Sequence, residues 1–173
     1  MPDTATVQIP AAGTYQLDPQ ASSISFATRH MFGLGGVHGT FRPISGQITI
    51  TDPVTSSTAS AVIDAASFET GGAARDKDVK SANFLHAGQH PQITFTSTQL
   101  ARDGDRWLLR GQITVRGNSA PADLVITEAR TDEDGLLIKA TTRIDRYAHQ
   151  LTKKKGMAGR YLDMDITARA TRS

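Results

Sequence analysis

Cysteine is absent from the 173 residues. Its absence excludes a disulfide framework, a thiol nucleophile and thiolate-ligated zinc, so the fold rests on packing alone. Long apolar runs are missing too; none approaches the roughly 20 residues of a spanning helix, and no stable membrane insertion is expected. Neither sign of charge dominates. The net charge of +2 is too small to argue for a nucleic-acid partner, even with a pI near 9.1. Residues 1–15, MPDTATVQIPAAGTY, have neither the basic segment nor the continuous apolar stretch of a secretory signal, which sets the expectation of a cytoplasmic location. Aromatic residues make up only 6% of the chain, which leaves little bulk to fill an interior.

What the chain does have is alternation. Apolar and polar residues exchange at period two, rich in β-branched side chains and threonine, as half-buried antiparallel strands require. In WLLRGQITVRG, Trp107, Leu109, Gly111, Ile113 and Val115 fall on one face, and Arg106, Leu108, Arg110, Gln112, Thr114 and Arg116 on the other, mostly polar one. Seven similar runs, over 22–32, 37–51, 58–68, 92–101, 122–129, 136–146 and 160–170, bring the total to eight. Turn chemistry separates most of them: GLGG, TDPVTSS, ARDGD, RGNSAP, TDEDG. Short connections make sequence neighbours pair. Long strands with almost no helix between them predict an all-β protein, an eight-stranded antiparallel barrel that leaves no edge unpaired. In the second run the apolar parity changes, from odd at Val37 and Phe41 to even at Ile44, Ile48 and Ile50, which predicts a bulge near Pro43. A barrel of this size is either filled by side chains or holds one ligand. Small inward candidates such as Ala59, Ala61, Ser97, Gly111 and Ala140 lean toward a cavity.

Three segments, YQLDPQASSISFATRHMFGLGGVHGTFRPISGQI, VIDAASFETGGAARDKDVKSANFLHAGQHPQITFTST and GQITVRGNSAPADLVI, resemble in order the YceI-like polyisoprenoid-binding proteins, from about Tyr15 to near the C-terminus. Asp18, Ser22, Phe26, His30, Gly39, Phe41, Arg75, Asp76, Phe84, Phe95 and Gly111 match that pattern. Ala21 and Asp78-Val79 depart from it, standing where a histidine and a His-Leu pair are expected. The resemblance implies a lipocalin-like barrel with a long apolar tunnel holding a polyisoprenoid or other long-chain lipid, bound non-covalently, with no covalent cofactor. Residues 1–13 are expected to be a flexible N-terminal segment and 14–173 a single domain, with a homodimer left open. Phe26, Phe41, Ile48, Ile63, Phe95, Trp107, Leu109 and Ile113 are assigned to the tunnel wall, His30 to an inward polar contact and Phe84 to a plug. An enzyme using the barrel as a substrate tunnel and a ligand-free interaction domain are the alternatives.

Chemistry at other positions is weaker. His86 and His90 have the i, i+4 spacing of a ligand pair, but Gly88 between them and Pro91 after them argue against a helix, so no metal site is assigned. GLGGVHG lacks the spacing and the strand-to-helix context of a dinucleotide loop, and no nucleophile elbow appears; no catalytic residue is assigned. TKKKGMAGR reads as a solvated hairpin tip. Arg75, Arg143, Arg146 and Arg160 are headgroup candidates on condition that they cluster at one mouth. The polar, helix-compatible stretch within 70–88, with Val79 and Phe84 as its apolar anchors, is read as a short helical or coiled plug closing one end.

Overall fold

The computed structural model describes residues 7–30, 35–154 and 158–172, without the side chains of residues 30 and 35. Its strands are β1 (Gly13–Leu17), β2 (Ser23–His30), β3 (Gly35–Ile50), β4 (Thr58–Glu69), β5 (Gln92–Asp103), β6 (Arg106–Val115), β7 (Asn118–Asp132), β8 (Gly135–Asp145) and β9 (Tyr161–Arg172), with one helix, α1 (Ala73–Lys80), between β4 and β5. All strand pairings are antiparallel, in the order β1-β3-β2-β9-β8-β7-β6-β5-β4, and β3 also pairs with β4, closing the sheet.

The ninth strand does not widen the barrel. β2 pairs with residues 35–41 of β3 and 162–167 of β9, whereas β1 pairs with 47–50 of β3 and 170–172 of β9. The two short strands share one slot end to end, so the barrel has the expected eight staves. Alternation could not reveal β1, because its five residues present too short a run.

The parity change in β3 is a bulge, placed by the ladder itself. Pro43 faces Ile63 and Ser45 faces Val62, so Ile44 has no partner opposite it. The expected inward Ile44 points out instead, 44% exposed, while Phe41 and Pro43 before it and Gly46 and Ile48 after it turn inward. A second irregularity falls between Thr40 and Arg42. Hairpins follow local turn chemistry: Arg116 and Gly117 both adopt positive φ, +52° and +76°, the two-residue turn whose twist matches flanking strands.

Three buried clusters run along the axis. Tyr15, Ile50, Leu136 and Ala170 form one end, Phe95, Leu124 and Ala140 the middle, and Phe26, Phe68, Leu85, Val115 and Leu151 the other end. Gly39 makes room for the Phe26 ring across the β2–β3 ladder; a Cβ there would meet the ring at 2.5 Å. Among the described residues no helix is long and apolar enough to cross a membrane.

Candidate functional site

The barrel interior holds a cavity of about 240 Å³ with an almost wholly apolar wall. A smaller one of about 100 Å³ lies at the end covered by Val7, Gln8, Ile9 and Pro10. Ile48, Ala59, Leu109, Ile126 and Ile138 line both, so the two spaces adjoin across these five side chains. Alternation explains the apolarity, since each strand turns every second side chain inward and those positions carry Ile, Leu, Ala and Phe. Small residues keep the space open. Gly111 and Phe95 show the fit: a Cβ on Gly111 would stand 2.6 Å from the Phe95 ring and 2.6 Å from the Thr96 carbonyl oxygen.

Of the residues assigned to the wall from sequence, Phe41, Ile48, Ile63, Phe95, Leu109 and Ile113 line the larger cavity. Trp107 lines only the smaller one. Phe26 is not on the wall of either: it is buried against Phe41 and Phe68, with ring centroids 5.7 and 5.3 Å away. Its place was misread because periodicity gives a face, whereas the neighbouring rings decide whether a side chain borders space or fills it. The side chain of His30 lies outside the described residues.

One end is closed by the segment after β4. Helix α1 buries no residue; Asp76 fastens it by accepting hydrogen bonds from the Thr70 backbone N–H at 3.1 Å and the Thr70 hydroxyl at 2.6 Å. Arg75 donates to the same hydroxyl, so Arg75 and Asp76 brace the plug through Thr70. After α1 the chain turns sharply, with Leu85 N–H donating to Val79 O and Ala87 N–H to Lys80 O. That turn, not the helix, carries the closure. Phe84 is 5% exposed and Leu85 6%, Leu85 borders the cavity, and Phe84 lies under the Arg146 guanidinium, outside the wall itself. Arg116, from the β6–β7 turn, holds the segment by donating to Ala82 O at 2.6 Å and Phe84 O at 3.1 Å. Asp78, where the chain departs from the family pattern, accepts from Lys154 at 2.6 Å and Asn83 at 3.0 Å. Those two donors, Lys154 foremost, hold the Asp78 carboxyl below its ordinary range. The basic loop thus ties down the plug through Lys154, while Lys155 lies outside the described residues.

Three of the four candidate arginines gather at one end: Arg143 and Arg160 line one outer pocket and share the Tyr161 ring, Arg160 and Arg146 share the Tyr147 ring, and Arg75 stands apart on α1. Arg143 pairs with Asp163 and Arg160 with Asp145, the first three side chains exposed and Asp145 half-buried. Arg146 alone turns inward. It is 6% exposed, borders the larger cavity and donates to the carbonyls of Gly159, Leu151 and Ala158. Burial lowers its pKa from the ordinary arginine value, with the nearby Tyr147 and Asp145 opposing. His149, read from sequence as a loop or strand-end residue, is 2% exposed and borders the same space. No local pattern marks its burial, because its partners Ile113 and Asn118 come from β6 and β7. His86 and His90 stack edge-on at 5.9 Å on the outer loop.

The comparisons agree with this architecture. A YceI-like domain model matches residues 15–170. Protein YceI of Escherichia coli O157:H7 is 33% identical over 116 residues, covering 65% of this chain and 60% of that protein, so the match spans less than two thirds of the relative. A UPF0312 protein of Pectobacterium atrosepticum is 33% identical over 129 residues, 70% of this chain and 67% of the relative. Among solved structures, BcnA of Burkholderia cenocepacia superposes with a TM-score of 0.79 at 20% identity, covering 90% of this chain and 99% of BcnA. A polyisoprenoid binding domain from Saccharophagus degradans, implicated in plant cell wall breakdown, gives 0.69 at 16% identity, covering 94% and 100%. At such identities these two establish the fold alone. With its barrel, plugged end and apolar tunnel, and with a domain match from Tyr15 to Ala170, this chain belongs to the YceI-like family.

Proposed function

We propose that this protein binds one long-chain lipid, an isoprenoid or a similar amphiphile, non-covalently along the barrel axis, and that it carries or sequesters that lipid without transforming it. The observation that carries the reading is the pair of adjoining apolar spaces inside the barrel, with Ile48, Ala59, Leu109, Ile126 and Ile138 bordering both. A buried methylene is worth about 0.8 kcal/mol, so an extended chain gains affinity along its whole length and needs few polar contacts. The YceI-like domain match and the polyisoprenoid binding domain among the structural neighbours support the same ligand class. Extraction of the purified protein with organic solvent followed by mass spectrometry tests it. A single lipid class at near-stoichiometric amount is the expected result. Protein that carries no lipid and takes up none when offered prenyl alcohols contradicts it, and chemical conversion of a bound lipid would favour an enzyme instead.

A further inference from the structure

Both ends of the tunnel are closed by bonded segments. Arg116 and Lys154 fasten the plug at one end, and residues 7–10 cover the other, held by Gln8 N–H on Ala129 O at 2.8 Å. Between these ends, one stretch of the wall lacks its backbone ladder. On the side of β3 that faces β1 and β2, pairing stops at Phe41, opposite Ile24, and resumes at Gln47, opposite Gln16. In residues 42–46, pairing is with β4 alone. The turn at residues 18–22, which joins β1 to β2, is bonded to the other neighbour: Asp18 N–H donates to Arg169 O at 2.8 Å, and Arg169 N–H to the Ser22 hydroxyl at 3.0 Å. No backbone hydrogen bond joins residues 18–22 to residues 42–46, all of them described. Pro43 has no N–H to offer, and Ile44, the bulged residue, turns out to solvent.

The larger cavity reaches this gap. Leu17, Ser22 and Ile24 line it from one side and Pro43, Gly46 and Gln47 from the other, and Gln47 is itself exposed. Beside β1 the gap is spanned by a side chain: a Cβ built on Gly46 would stand 3.2 Å from the Leu17 Cβ and 3.3 Å from its Cδ2. Leu17 moves aside by rotation about its own bonds, whereas opening the plug breaks the hydrogen bonds of Arg116 and Lys154.

Building on the lipid-binding reading above, we propose that this gap is the portal of the tunnel: the tail of the bound amphiphile lies inside, and its polar headgroup stays outside, between the turn at 18–22 and residues 42–46. An almost wholly apolar wall offers a headgroup no partners, so burial inside would leave its polar atoms without hydrogen bonds. At the gap the headgroup keeps its water, and the exposed Ile44 gives the rim an apolar contact for the start of the chain. The barrel then selects the tail and leaves the headgroup unread.

The test exploits the absence of cysteine. Ile44→Cys at the gap, Ile9→Cys on the segment over the far end and Ala82→Cys on the plug each give the full chain one thiol, and all three side chains are exposed, so the core stays intact. Each variant reacts at pH 8 with farnesyl methanethiosulfonate and, separately, with methyl methanethiosulfonate; the cysteine forms a disulfide with the transferred sulfur and methanesulfinate leaves, and mass spectrometry follows the adduct. With the tail in the tunnel and the reactive sulfur at the headgroup position, the farnesyl-to-methyl rate ratio is expected to be about tenfold higher at Ile44→Cys than at the other two, and excess farnesol to remove the difference. Any other ranking, with farnesol still suppressing the reaction, overturns the portal and leaves the tunnel reading standing. Reactions that farnesol does not suppress overturn the tunnel reading itself.

Discussion

Replacing Ala59 by Leu obstructs the tunnel at its waist, because Ala59 is the smallest of the five residues that border both of its spaces. Its Cβ points inward, opposite Ile48 across the β3–β4 ladder, and its backbone N–H is held by the Ser97 hydroxyl at 2.8 Å, so the substitution changes volume without removing a hydrogen bond. Each methylene moved from water into the tunnel is worth at most about 0.8 kcal/mol, close to a fourfold gain in Kd. Ordering the chain offsets part of this, giving about two- to fourfold for each added methylene. A series of straight-chain alcohols of increasing length, titrated by Trp107 fluorescence and checked by calorimetry, should show that slope until the tunnel is full. With Ala59→Leu the slope should be the same for short chains and should stop several methylenes earlier, because the space beyond the waist is cut off. An affinity independent of chain length refutes the tunnel. An unaltered stopping point in the variant refutes the continuity of the two spaces.

Gly111→Ala should destabilise the fold by about 1–3 kcal/mol in urea unfolding, since the new Cβ would sit 2.6 Å from both the Phe95 ring and the Thr96 carbonyl oxygen. The Asp78–Lys154 tie should depend on pH. With its folded pKa below the unfolded value, Asp78 contributes stability that is fully present above the ordinary carboxylate pKa of about 3.9 and is lost as pH falls through the lowered value. Asp78→Asn should therefore cost no more than about 1 kcal/mol at pH 7, with the difference from wild type shrinking as pH falls below the ordinary carboxylate range. Removing residues 1–11 takes away the wall made by Val7–Pro10, a segment held by Gln8 N–H on Ala129 O at 2.8 Å and Ala11 N–H on the Thr131 hydroxyl at 2.9 Å. Release of a bound lipid, followed by stopped-flow fluorescence, should become faster; an unchanged rate would place the exit away from this end.

Local patterning carried the architecture a long way. The run from Trp107 to Gly117 identified β6 and its hairpin, because inward and outward environments alternate along a strand and the residues record them directly. The bulge near Pro43 was legible for the same reason, since two patterns of opposite parity cannot share one face without an inserted residue. Which residue is inserted was not legible: the ladder to β4 makes it Ile44. The plug between β4 and β5 stood out as a break in alternation, and Phe84 as its buried anchor follows from its being apolar in a polar stretch.

The sequence by itself determined an all-β chain of eight long staves, a polar insertion after the fourth run and a mostly apolar inward face. Only the tertiary structure decided that β1 shares a slot with β2, that Phe26 fills a corner between Phe41 and Phe68 instead of bordering the tunnel, and that Arg146 turns inward while Arg143 and Arg160 stay on the surface with their aspartates. It also decided the fate of His149. A strand's pattern reflects contacts made at every second residue along the chain, but the pocket around His149 is built from Ile113 of β6 and Asn118 of β7, more than thirty residues away. No spacing along the chain encodes such a meeting; it arises when the barrel closes.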